Sequence, residues 1–254
     1  MRNPLICSIA AAALVVAANC ASAAEVTLIA PGGIRAAINQ MIPGFERKTG
    51  NTVKATFGSG GGTKGRVIKG EAFDVPVVQP PVAEVVASGH VVTASETPLA
   101  NVAVGVAVRA GAPKPDISNA EAVKRMLLGA KAIAYPNAAR GAAAGVSFNA
   151  TLQMLGIAEA MKPKIKVAQG GAGAMEMLAK GEVDYGLTFI SEIITEPGVE
   201  LVGPLPRDIS PRTELIGFIG AQAKDPEAAK ALLAYLSGPE AAKVYTERGM
   251  QPGR

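Results

Sequence analysis

The chain has 254 residues, of which 49% are hydrophobic and 18% charged, enough apolar content for one large or two small cores and too much for disorder. Its formal net charge of +4 is dispersed rather than arrayed in a stripe, and 4% aromatic residues with no tryptophan leave no stacking platform, which argues against nucleic acid as a partner. The single histidine, His90, provides no cluster for zinc and no Ser-His-Asp array, so no metal or cofactor is expected.

The first 23 residues read as an export signal: Met1-Arg2 is basic, residues 5–18 are apolar, and Ala21-Ser22-Ala23 offers a small-x-small cleavage site before Ala24. The apolar stretch is too short to span a bilayer core of about 30 Å, so the mature chain is expected in the periplasm without membrane insertion. Cys7 and Cys20 both fall in this segment, which leaves the mature chain without thiols. Ala17 and Asn19 fit a lipid-attachment site at Cys20 poorly, which favours cleavage after Ala23.

Residues 26–30 form an apolar run that predicts a buried strand, and Ile34, Ala37, Ile38, Met41 and Ile42 then recur at helical spacing to about Phe45. Further strands are expected at 52–57, 72–78 and 102–108, with helices at 64–69 and 81–88 between them. After the Gly/Pro-rich segment 110–116 the rhythm restarts, with helices at 119–128, 145–155 and 174–180 and strands at 131–135, 164–168, 184–189 and 199–202. A strand at 215–221 and helices at 226–236 and 239–248 close the chain. This alternation predicts an α/β fold with mainly parallel sheets covered by helices. It divides into two lobes, residues 24–107 with 214–254 and residues 108–213, joined by crossings near 104–110 and 210–216.

Four glycine-rich turns each follow a short strand and open a helix: residues 30–33, 58–63, 140–145 and 169–173. A helix N-terminus offers unpaired N–H groups and the positive end of the macrodipole, so four converging on one cleft would hold an anion. Taken alone, the Gly58 to Gly62 run also suits a flexible or tight turn, because glycine tolerates positive φ. The candidate contacts are Gly32 and Gly33 in the first turn, Gly62, Thr63 and Lys64 in the second, Arg140, Ala144 and Gly145 in the third, and Gly171 in the fourth. Arg35 and Arg140 flank two of the turns, and a guanidinium fork matches a carboxylate. Lys64 and Arg140 are expected to meet the anion from opposite lobes.

The segment Gly181-Glu182-Val183-Asp184-Tyr185-Gly186-Leu187-Thr188-Phe189-Ile190-Ser191-Glu192 resembles a stretch of the molybdate-type periplasmic binding proteins, as do Glu71 to Val75 and Leu152 to Gly156. The resemblance covers essentially the whole mature chain. It implies a two-lobed type II solute-binding fold that closes over an anion and delivers it to an ABC permease, here as a monomer. The family's ligand-contacting tyrosine falls on Phe189, and family hydroxyls are replaced by Gly33, Gly61 and Gly62. Without those donors a metal oxyanion loses charge-assisted bonds worth about 1.5–3 kcal/mol each, which points to an organic acid instead. Residues 108–118 and the Gly32-Gly33 turn also resemble a side branch of the superfamily that includes the aconitate isomerases, which implies an alternative: movement of a double bond in a small tricarboxylate by one or two bases.

Overall fold

The computed structural model describes residues 23–253. The expected export signal, apart from Ala23, and both cysteines therefore lie outside the described residues.

The chain begins as its pattern requires. β1 (Glu25–Pro31) is followed by a single 3-10 turn and α1 (Arg35–Thr49), which buries Ala37, Ile38, Met41 and Phe45 and stops at Gly50, a left-handed residue at φ 77°. β2 (Thr52–Gly58) lies parallel to β1 from Glu25↔Thr52 to Pro31↔Gly58, and β3 (Val75–Val78) lies parallel on the other side. α2 (Gly60–Ile68) and α3 (Ala83–Ala87) come before and after β3. The Asp74 side chain secures this layer: its carboxylate accepts from Thr27 N at 2.7 Å, Thr27 Oγ1 at 2.6 Å and Lys224 N at 2.7 Å, tying β1 to the C-terminal segment.

β4 (Thr97–Val102) and β5 (Val104–Arg109) are separated by Ala103 alone, and there the chain leaves one sheet for the other. The second sheet is built with α4 (Ala120–Gly129), β6 (Ile133–Pro136), α5 (Ala143–Met154), α6 (Ala158–Met161), β7 (Ile165–Ala168), α7 (Gly170–Ala179), β8 (Tyr185–Phe189), α8 (Ile190–Ile193) and β9 (Val199–Pro204). The return leads to β10 (Thr213–Gly217), α9 (Pro226–Ser237), α10 (Pro239–Glu247) and β11 (Gln251–Pro252). The strand orders are β11-β4-β10-β3-β1-β2 and β7-β6-β8-β5-β9. One apolar core runs through both units, from Leu28, Ile38 and Phe45 to Val104, Phe148 and Leu187. Smaller clusters sit around Met175 on α7 and around Val67 and Val85 on α2 and α3.

Two expectations need correction. The sheets are mixed rather than mainly parallel: β10 runs antiparallel to β3 and β4, β11 antiparallel to β4, and β5 antiparallel to β8 and β9. Each antiparallel pair involves β4, β5 or β10, the strands at which the chain crosses between the sheets, so their direction is set by the crossing and not by a strand-helix-strand unit, which makes neighbours parallel. β4 itself is absent from the sequence-based reading, because Pro98 interrupts its pattern; the ladder with β10 shifts register beside it, between Leu215 and Ile216. The first crossing accordingly lies at Ala103, ahead of the residue 107 boundary, which falls inside β5. Among the described residues no helix is long and apolar enough to cross a membrane.

Candidate functional site

A cleft of about 740 Å³ opens between the two sheets, and Pro31, Gly58, Pro136 and Phe189, the last residues of β1, β2, β6 and β8, all line it. Strand C-termini are where open α/β sheets leave room for ligands. The sheets touch across this cleft. Gly61 N donates to Gly141 O at 2.9 Å, Ser59 Oγ to Arg140 O at 3.1 Å, and the buried Ser191 Oγ to Gly33 O at 2.6 Å. A Cβ on Gly61 would lie 3.1 Å from Gly141 Cα, and one on Gly33 would lie 2.7 Å from Phe189 Cδ2. These glycines permit backbone from one sheet to approach the other, so part of the glycine signal in the sequence encodes lobe contact.

Helix N-termini do face the cleft, but they are not equivalent. Gly32 and Gly33 before α1, Ala143 and Ala144 of α5, and Gly170, Gly171 and Ala172 of α7 line it, and none of these helix starts has a side-chain cap. Their first N–H groups and dipoles are left for a ligand. α2 differs. Ser59 caps it through Gly62 N at 3.1 Å, Gly61 N is committed to Gly141, and Thr63 N to Ser59 O. Three free N-termini serve the cleft where four were expected.

The polar side chains complete it. Arg35 lies with its guanidinium carbon 5.2 Å from the centre of the Phe57 ring, and Arg140 stands at the opposite wall; neither has a carboxylate within salt-bridge distance among the described residues. Gln79 is 5% exposed and its Nε2 has no hydrogen-bond partner. Glu192, on α8, receives the Thr188 hydroxyl at 2.5 Å. Burial pushes its carboxyl above the usual range, against the opposing pull of the Thr188 hydroxyl, the Phe189 N–H and the Arg35 guanidinium. A Cβ on Gly171 would lie 2.5 Å from Glu192 Oε2, so glycine there lets the start of α7 close over this carboxyl.

Of the residues expected in the site, Gly32, Gly33, Arg140, Ala144, Gly171 and Phe189 are brought together at the cleft. Gly62, Thr63, Lys64 and Gly145 are not among its lining residues. Lys64 turns away, donating to Pro81 O at 2.8 Å, and burial lowers its pKa against the opposing effect of Glu84. α2 begins at Gly60, four residues before the expected start, which places Lys64 about one turn in from the helix N-terminus. Thr63 is 1% exposed, with its hydroxyl unpartnered in the interior. Gly145 instead packs α5 on the end of β6, where a Cβ would collide with Pro136 O. The Tyr135 hydroxyl, near the end of β6 but off the cleft, donates to Asn149 Oδ1 at 2.6 Å. Gln79 and Glu192 were missed as site residues. Glu192 had one signal, its place at the end of the family-like segment, whereas Gln79 follows an apolar strand with none.

Residues 26–251 match the family described as bacterial extracellular solute-binding protein. The chain belongs to that family. Among curated relatives, this solute-binding protein is 32% identical to an aconitate isomerase from a Pseudomonas species, over 98% of its own length and 97% of the relative's. It is 28% identical to the molybdate-binding protein ModA of Azotobacter vinelandii, over 90% of each. Among solved structures it superposes on the periplasmic molybdate-binding protein of Azotobacter vinelandii with a TM-score of 0.74 at 19% identity, covering 89% of this chain and 98% of the other. The two-lobed α/β fold of the molybdate-binding-like superfamily follows from these matches together. Among the described residues, no group of three or more His, Cys, Asp or Glu is arranged to hold a metal ion.

Proposed function

We propose that this solute-binding protein captures a small organic polyacid in its cleft. The observation that carries the reading is the convergence of three uncapped helix N-termini with two unpaired guanidiniums, Arg35 and Arg140, on one cavity. Its volume of about 740 Å³ suits a small organic ligand, for which pockets run to roughly 300–1,000 Å³. Phe189 and Gly33 supply no hydroxyl collar for a compact metal oxyanion, while forked guanidiniums on opposite walls suit carboxylates spaced along a carbon chain. The two sheets act as lobes that hinge at Ala103 and at the 205–212 segment. Export to the periplasm on the N-terminal signal, a monomeric state and delivery to an ABC permease complete the proposal.

A thermal-shift panel of citrate, cis-aconitate, trans-aconitate and molybdate tests it. A ligand at about 100 times its Kd adds roughly 2.7 kcal/mol of stability. Stabilisation by carboxylates with little effect of molybdate is expected, and strong stabilisation by molybdate alone would overturn the organic-acid reading.

Glu192 favours a second reading, in which the cleft shifts a double bond within the bound polyacid. Moving a double bond requires a proton to leave one carbon and another to return elsewhere on the same skeleton. A carboxyl whose pKa is raised is a stronger base when ionised and stays available as an acid. The relative named as an aconitate isomerase supports this reading. Proton NMR of cis- and trans-aconitate with the purified protein decides it: interconversion that stops in Glu192→Gln, with binding retained, would establish catalysis, and a stable unconverted complex would retire it.

A further inference from the structure

A second cavity, of about 300 Å³, lies where the chain crosses between the sheets. Ala103, the residue of the outward crossing, forms part of its wall, and so does the return segment through Pro204, Arg207, Ser210 and Arg212. None of these residues lines the main cleft. Ser210 is 2% exposed and its hydroxyl has no hydrogen-bond partner; Arg212 Nε is likewise buried and unpartnered. A buried polar atom left unsatisfied is costly, and two beside one cavity ask for a ligand.

The charge is of one sign. Burial disfavours the charged form of Arg212, and the Arg207 guanidinium nearby disfavours it further. Among the described residues neither guanidinium has a carboxylate within salt-bridge distance. Arg207 is steadied instead by Gln251 Oε1 at 2.9 Å, on β11. Two guanidiniums and a free hydroxyl beside one cavity suit an anion that bridges them.

We propose that this cavity is a second anion site, taking a small dianion of the phosphate or sulfate class between Arg207, Ser210 and Arg212. Because Ala103 and the 204–212 segment are the two hinge strands of the fold, an anion seated there holds both crossings in the arrangement in which Gly61 meets Gly141, and so tightens the main cleft. The coupling rests on the hinged-lobe reading above; the site itself does not.

The test uses inorganic phosphate and calorimetry at low salt on the full mature chain. The wild type and a cleft variant, Arg35→Gln with Arg140→Gln, are expected to bind one phosphate alike, and Arg207→Gln with Arg212→Gln to bind it at least tenfold more weakly. The melting temperature of the hinge variant without phosphate should equal or exceed that of the wild type, because a repelling pair is relieved; a purely structural role for the arginines would lower it. Ser210→Ala, which leaves the charges in place, should weaken phosphate severalfold and serves if the double variant fails to fold. Absence of phosphate binding by the wild type, or phosphate retained by the hinge variants and lost by the cleft variant, would overturn the proposal. If carboxylates fail to bind the cleft while phosphate still follows the hinge variants, the organic-acid reading falls and this site stands.

Discussion

Gly61→Ala separates ligand binding from folding more sharply than any other single change. A Cβ there would lie 3.1 Å from Gly141 Cα, closer than a Cβ ordinarily sits to backbone, and Gly141, at φ 75°, has no side chain to swing aside. Relief comes from parting the lobes, which breaks the 2.9 Å bond from Gly61 N to Gly141 O. A net hydrogen bond is worth about 1 kcal/mol, so closure should be disfavoured by that amount and Kd should rise about fivefold. Folding should respond the other way. Gly61 lies in the first turn of α2, where alanine is the better helix former by up to about 1 kcal/mol, so the melting temperature without ligand should hold or rise by a few degrees. Calorimetry with trans-aconitate and scanning calorimetry of the free protein measure the two effects, and small-angle scattering should report a more open molecule. Unchanged affinity with an unchanged scattering profile would refute the claim that this contact latches the cleft; lower affinity with a lower melting temperature would show damage to the fold instead.

Lys64→Ala should leave affinity for trans-aconitate within about twofold, because Lys64 faces Pro81 O, while Arg140→Ala should weaken it by about 10- to 100-fold, the worth of one charge-assisted contact; equal effects in calorimetry would contradict the placement of the two. Asp74→Ala should cost about 3 kcal/mol, one for each of the three donors it orphans, and lower the melting temperature by about 6–12 °C; a shift under 2 °C would show that water replaces the carboxylate. Glu192 gives a pH signature: its folded pKa is raised, so the folded state holds the proton longer and stability should fall as pH climbs from the ordinary carboxylate range through the raised value. Glu192→Gln should flatten that slope in urea titrations run from pH 4 to 8, and an unchanged slope would place the charge of Glu192 elsewhere. Gly33→Ala should lower the melting temperature by several degrees, since overpacking against Phe189 costs about 1–3 kcal/mol, and a neutral result would mean that the ring has room to move.

Most of the order of elements was legible in the sequence by itself, because strand and helix announce themselves through local periodicity: β1 and α1, β6, β8, α9 and α10 fall close to where their apolar spacing puts them. That helix N-termini face the cleft was legible too, at three of the four turns, because a glycine-rich turn between a strand and a helix puts backbone N–H groups at the strand's C-terminal end. Which glycines serve the ligand was not. Gly33 and Gly171 line the cleft, whereas Gly61 and Gly141 meet each other and Gly145 seats α5 on β6, and only long-range packing decides among these uses of the same missing Cβ. Lys64 illustrates the same limit, since α2 starts about one turn earlier than expected, which takes the lysine away from the helix N-terminus, and only packing brings the Pro81 carbonyl within its reach. Glu192, an ordinary acidic residue in the chain, becomes a raised-pKa carboxyl only when α7 and β8 bury it, against the opposing pull of Arg35. Local spacing sets the elements; burial, charge and the meeting of lobes belong to residues far apart in the chain, and tertiary structure alone brings them together.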